Sequence, residues 1–158
     1  MKKLMLVIVS LMVVFPLLYG ESFHYVGVQR CKICHSGEMH GMVYEKWLKS
    51  KHAVALDTLS AKGEDKNPKC LVCHVTGFNV GGYKIGAANA ADFAGVQCES
   101  CHGPGSGYAR MSIMPNKKLA MENGLIMPNE ALCRKCHNEN SPTFKGFNFK
   151  EYEAKIYH

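Results

Sequence analysis

Beyond its first twenty residues the 158-residue sequence has no long apolar run, few stretches alternating between apolar and polar, and no block of basic side chains. Without an apolar run of about 20 residues, the remainder of the chain carries no membrane span. The scarcity of alternating stretches argues against a sandwich or barrel of strands. The lysines (Lys46, Lys49, Lys51, Lys62, Lys66, Lys69, Lys117, Lys118, Lys145, Lys150) are scattered, so a formal charge of +6 does not build the basic face that nucleic acid requires. No nucleic-acid partner is expected. The length suits one domain behind a removable leader and leaves no chain for a separate output module.

The leader is residues 1–20. Lys2 and Lys3 open it, and Leu4 to Leu18 form an apolar run broken only by Ser10 and Pro16. Cleavage is expected after Gly20 or after Ser22, the Gly20-Glu21-Ser22 step fitting the small-x-small rule better. The mature domain is then 21–158, exported to the periplasm or the cell surface, and membrane contact arises only if the leader is retained. No cysteine lies in or just after this segment, so a lipid-anchored start is not indicated.

Nor does any cysteine stand outside one pattern. The eight fall into Cys31-Lys32-Ile33-Cys34-His35, Cys70-Leu71-Val72-Cys73-His74, Cys98-Glu99-Ser100-Cys101-His102 and Cys133-Arg134-Lys135-Cys136-His137. Two thiols two residues apart can reach the two vinyl groups on one porphyrin edge, and the next side chain then brings an imidazole to the iron. Tetrahedral zinc sites also use Cys-x-x-Cys pairs, but they have no use for a histidine fixed at the next position four times over. Disulfides closing such small rings would make an odd framework. Four covalently bound haem c groups are expected. Their propionates bring up to eight negative charges, which recasts the scattered lysines as propionate partners and solvated surface.

Four histidines remain for the opposite faces of the irons: His24, His40, His52 and His158. His52 lies in Met42 to Leu59, where Trp47, Val54 or Ala55, and Leu59 recur at helical spacing, so a helix there is expected to face it toward a porphyrin. Five residues are too few to carry the chain from His35 around its own haem, so His40 serves a different haem if it is a ligand. His24 has chain enough to reach the first haem or a neighbour. The mature chain's six methionines (Met39, Met42, Met111, Met114, Met121, Met127) are rival ligands, but flexible thioethers more often fill space around large cofactors. Mainly bis-histidine ligation is expected.

The rest of the pattern is loop-rich. Lys62 to Lys69 reads as a polar linker, Gly77 to Gly95 as a loop with a short hairpin about Gly81-Gly82, and Gly103 to Gly107 as a helix stop. Asn129 is placed to cap a short helix carrying Cys133 to His137, and a last helix is expected over Phe149 to Tyr157. The fold class is mostly α with extensive irregular loops: a small multihaem c-type cytochrome whose core is four closely packed haems. In a ball with a radius of gyration of about 14 Å, four such rings cannot stay apart.

The segments "YVGVQRCKICH" (Tyr25 to His35), "WLKSKHAVAL" (Trp47 to Leu56), "CLVCHVTGF" (Cys70 to Phe78) and "GVQCESCHGPGSGY" (Gly95 to Tyr108), with the fourth motif, resemble the tetrahaem cytochrome c five-five-four family. The resemblance implies stacked haems, mostly bis-histidine ligation and a role in passing electrons between redox partner proteins. The family's Trp-x-x-Ser-x-His element is matched by Trp47, Ser50 and His52, which supports His52 as a distal ligand. The family also looks related to surface cytochromes that polymerise into conductive filaments, a haem taking its second histidine from the next subunit. His24 and His158, near the two ends, would suit such a homopolymer. The alternative is a nitrogen-oxide or hydroxylamine-type redox enzyme with one five-coordinate haem, which needs an idle histidine and polar groups such as Tyr108 or Arg110 at the iron. A loop anchor and a propionate partner are the simpler readings of those two.

Overall fold

The computed structural model of the chain describes residues 22–158; the expected signal peptide, residues 1–20, lies outside them. Short helices joined by turns follow one another: α1 (Val28–His35), a 3₁₀ turn (Glu38–His40), α2 (Val43–Leu48), α3 (Ala55–Ser60), α4 (Pro68–His74), a second 3₁₀ turn (Ala90–Phe93), α5 (Cys98–His102), α6 (Lys117–Glu122), α7 (Glu130–Cys133) and α8 (Phe149–Glu153). Among the described residues the only β-pairing is one isolated bridge, Val75 with Ala94. The protein is therefore mostly helical with extensive irregular loops. Asparagine starts four of the helices. The side chains of Asn67, Asn116, Asn129 and Asn148 each accept a first-turn backbone N–H, which satisfies one of the donors that a helix start leaves open.

Four expected elements come out differently. The helix over Met42 to Leu59 is two helices, and His52 sits in the turn between them. The cause is tertiary. The His52 carbonyl accepts from Val96 N–H at 2.9 Å, and the Trp47 indole N–H donates to the Val96 carbonyl at 2.8 Å. Gly95 makes this approach at φ +77°, where a Cβ would lie 2.5 Å from the Ala53 carbonyl oxygen. The hairpin about Gly81-Gly82 forms no strands; it is a tight loop closed by Tyr83 N–H to Thr76 O and Asn79 N–H to Tyr83 O, both at 2.9 Å. The last two helices are shorter than their sequence patterns: α7 ends at Cys133, with His137 in the following turn, and α8 ends at Glu153.

The apolar core is small. Leu59, Leu71 and Val75 form its centre, with Leu56, Cys70, Phe78 and Tyr83 against it, where α3 packs on α4. A second centre, where α1 meets α5, is polar. Thr76, Gln97 and Glu99 are at most 3% exposed, among the most buried residues described. Every one is hydrogen-bonded, as burial of polar groups demands.

Candidate haem sites

The four motifs ride on the ends of short helices: α1 carries Cys31, Cys34 and His35, α4 carries Cys70, Cys73 and His74, α5 is Cys98 to His102, and α7 with its following turn carries Cys133, Cys136 and His137. One helical turn puts residues i and i+3 on the same face, which is what lets two thiols address one ring edge. All eight cysteines are free, Cys34 exposed and the others partly buried. Among the described residues no three His, Cys, Asp or Glu side chains converge as a metal centre would need.

The motifs lie beside one another in space. Contact with Cys98 pushes the Cys31 thiol up, and the same contact pushes Cys98 down. Contact with Cys136 pushes Cys73 down to about 7, and Cys136 up in return. Burial first, then Cys133 and Cys98, raise Cys101 to about 11. Motif one therefore abuts motif three, motif two abuts motif four, and motif three neighbours motif four.

The histidines supply the clearest test of fit. An imidazole nitrogen bonds a metal at about 2.0–2.1 Å, so two rings facing through one metal have centroids roughly 6 Å apart. His52 and His137 are 6.0 Å apart, centroid to centroid, and His102 and His158 are 5.8 Å apart. Each pair joins a motif histidine to one of the spare four. In addition, Nδ1 faces a backbone carbonyl in three cases: His74 to Ala55 at 2.7 Å, His102 to Ile126 at 3.0 Å and His158 to Ile156 at 3.0 Å. Occupying Nδ1 in this way fixes the tautomer and leaves Nε2 free, the usual support of a metal-binding histidine. Burial also lowers the pKa of His35, His52, His102 and His137, keeping them in the neutral form that binds a metal. The donor set suits haem iron.

The other spare histidines are not so placed. His24 and His40 are exposed. His24 is tied through its backbone, its N–H donating to Ser106 Oγ at 2.8 Å and its carbonyl accepting from Ser106 N–H at 3.2 Å. His40 stands near enough to His35 to help depress it, after burial and after His158. Met111 brings its sulfur to 3.9 Å from Cys34 Sγ rather than to a histidine. Tyr108 is buried, and its hydroxyl donates to the Gly103 carbonyl at 2.8 Å, a loop anchor. Arg110 is exposed.

Several groups around the sites have no sequence signature. Phe147 stacks on the His137 ring at 4.9 Å and 17°, and Tyr152 meets that ring edge-on at 5.6 Å. A cavity of about 210 Å³ beside His137 is lined by Cys136, Thr143, Phe144, Lys145 and Tyr152. Ser50 Oγ, two residues before His52, is buried and without a partner. A hydroxyl so placed suits an oxygen-bearing group such as a propionate. Only the position of Ser50 in the Trp-x-x-Ser-x-His element could have drawn attention to it.

Short helices bearing repeated Cys-x-x-Cys-His units, with two pairs of imidazoles whose centroids lie 6.0 and 5.8 Å apart, define a multihaem c-type cytochrome. A model of the family described as "Cytochrome c554 and c-prime" matches residues 30–103. Over 165 aligned positions the chain is 30% identical to cytochrome c-554 of Nitrosomonas europaea, covering 84% of this chain and 67% of that protein. The solved structure of the reduced state of cytochrome c554 from Nitrosomonas europaea matches with a TM-score of 0.59 at 26% identity, over 85% of this chain and 78% of that one. The chain belongs to the cytochrome c554 family, whose members carry covalently bound haem c and transfer electrons. Among the described residues no helix is long and apolar enough to cross a membrane.

Proposed function

We propose that this chain is a tetrahaem electron carrier, exported after removal of residues 1–20, that relays electrons between redox partner proteins. When bound, haem c supplies one-electron exchange between ferric and ferrous iron. The polypeptide's part is attachment, ligation and spacing. Cys31 and Cys34, Cys70 and Cys73, Cys98 and Cys101, and Cys133 and Cys136 would hold the four groups, with His35, His74, His102 and His137 as proximal ligands. The observation that carries the reading is the pairing of His52 with His137 and of His102 with His158 at 6.0 and 5.8 Å. It supports bis-histidine ligation for the haems of motifs four and three. The thiol contacts between motifs one and three, and between two and four, support close spacing.

His24 and His40 are left for the haems of motifs one and two. No histidine ring pairs with His35 or His74 at such a distance among the described residues. A second reading, in which one of these two irons is five-coordinate and open to a small nitrogen-oxide ligand, needs one of these histidines to be idle. Filament formation by exchange of a histidine between subunits would fall to His24, because His158 faces His102 of its own chain. Mass spectrometry of the natively matured protein should show four added haems and loss of the leader. Electron paramagnetic resonance should show at least two bis-histidine low-spin centres, and light scattering across concentration should show a monomer. Fewer than four haems, or high-spin signals from three or four irons, would overturn the reading.

A further inference from the structure

Glu99 is the one acidic side chain that the described structure buries almost completely, at 1% exposed. It occupies the first position between the two cysteines of motif three. Its Oε1 accepts from Val26 N–H at 2.9 Å and from Gly105 N–H at 2.6 Å. Its Oε2 accepts from Gly27 N–H at 2.7 Å and again from Val26 at 3.1 Å. Both oxygens face donors only, so the pocket is built for an acceptor and offers a carboxylic O–H no partner. No cation balances it: the ion pairs among the described residues are Lys118–Glu122, Arg134–Glu130 and Lys155–Glu151, all at the surface. The charge lies at the contact between motifs one and three, where it opposes ionisation of Cys31 and Cys98 and of the nearby Tyr25 and Tyr108.

We propose that Glu99 is a redox-tuning residue: a fixed, buried negative charge that holds down the reduction potentials of the haems of motifs one and three. Reduction brings one electron from an external donor to each iron and lowers its charge by one. A neighbouring anion favours the ferric form, and it acts most strongly where water is excluded. Glu99 itself takes up no electron. Motifs one, two and four have Lys32, Leu71 and Arg134 at the corresponding position, and Glu99 reaches motif one through space, its carboxylate held by Val26 and Gly27 at the start of α1, so the effect divides the four haems into a lower and a higher set. The inference rests on the tetrahaem reading, and counting the attached haems by mass spectrometry tests that reading separately.

The experiment is a redox titration of the purified holoprotein, followed by nuclear magnetic resonance so that each haem is read through its own methyl signals. Glu99→Gln should shift the ferric–ferrous equilibrium of the haems of motifs one and three about tenfold toward ferrous, which is 59 mV for a one-electron couple. The other two should stay put. Glu99→Asp, which disturbs the same hydrogen bonds but keeps the charge, should leave all four close to wild type. No shift in Glu99→Gln, an equal shift of all four haems, or the same shift in Glu99→Asp would overturn the proposal. Should Glu99→Gln fail to mature, infrared difference spectra of the wild type decide. A carboxylate band that moves when those two haems are reduced supports it, and a carboxylic acid band or no carboxylate change overturns it.

Discussion

Motifs three and four share a sequence pattern but not a way of being held. Around motif three the interior is a network of hydrogen bonds. Gln97 accepts from Val28 N–H at 2.8 Å and donates to the carbonyls of Asp92 and Ala94 at 2.8 and 3.0 Å. Thr76 Oγ1 donates to the Gly95 carbonyl, accepts from Gln97 N–H and pairs with Ser100 Oγ, at 2.9, 2.9 and 3.0 Å. Around motif four the side-chain hydrogen bonds are exposed ones, from Arg134 to Glu130 and from Asn138 to the carbonyls of Arg134 and Lys135. His137, Phe147 and Tyr152 form a cluster of three touching rings, with Phe147 and Tyr152 4.8 Å apart, and Arg134 lies over Phe147 at 5.3 Å. Hydrogen bonds fix position closely and are costly to break when buried, whereas aromatic packing at a half-exposed site yields more readily. Motif three is therefore the rigid anchor of the molecule and motif four its adjustable end.

The largest effect should come from Thr76→Val, which keeps the shape and removes the hydroxyl. It strands Gln97 N–H and the Gly95 carbonyl in a fully buried setting, at about 1–3 kcal/mol for each group left unsatisfied. A loss of roughly 3 kcal/mol lowers the melting temperature by about 10 °C for a chain of this size, measured by calorimetry on the holoprotein. A drop under 2 °C would remove the distinction between the two regions. Next come the two spare histidines that face motif histidines. His158→Ala and His52→Ala should each convert one haem to high spin, visible in the resonance Raman spin-state bands. His158 is exposed at the last residue, so its loss should leave the melting temperature within a degree or two. His52 is partly buried, and its loss should cost somewhat more. If both variants remain fully low-spin, the ring pairs are not ligand pairs.

The comparison also shows what the sequence could reveal. The candidate sites of attachment are read from the sequence alone, because the chemistry demands cysteines and histidine at one fixed spacing. The dominance of helix and loop was legible from glycine, proline and asparagine, and Asn129 does cap α7 as its position suggests. The break at His52 was not. Its cause is a hydrogen bond to Val96, 44 residues on, which no local periodicity records. Glu99 was hidden for the same reason: between two cysteines of a haem motif it reads as a surface acid, and only folding brings Val26, Gly27 and Gly105 to it. His158, at the last position where chains often fray, gave no local sign that it would meet His102.

Smaller effects belong to motif four. Phe147→Ala removes the ring stacked on His137 and should cost about 1–2 kcal/mol, since the site is half-exposed. The more telling change is local: carbon monoxide should bind the reduced haem of motif four faster, because His137 and its partner His52 lose a wall, while the haem of motif three is untouched. Flash photolysis separates the two, and equal acceleration at both haems would mean the regions move as one body.

The smallest effect is Glu130→Gln. Arg134 Nη2 is 2.7 Å from Glu130 Oε1, but both side chains are 48% exposed, and an exposed i,i+4 pair contributes only about 0.3–0.5 kcal/mol. The expected change in melting temperature is about 1 °C, and it should shrink further in high salt, where surface charges are screened. Arg134 has a second role over the Phe147 ring that Glu130→Gln leaves in place, so Arg134→Ala should cost more than Glu130→Gln. If instead Glu130→Gln alone lowers the melting temperature as much as Thr76→Val does, then this corner is cross-braced by charge as firmly as motif three is by hydrogen bonds.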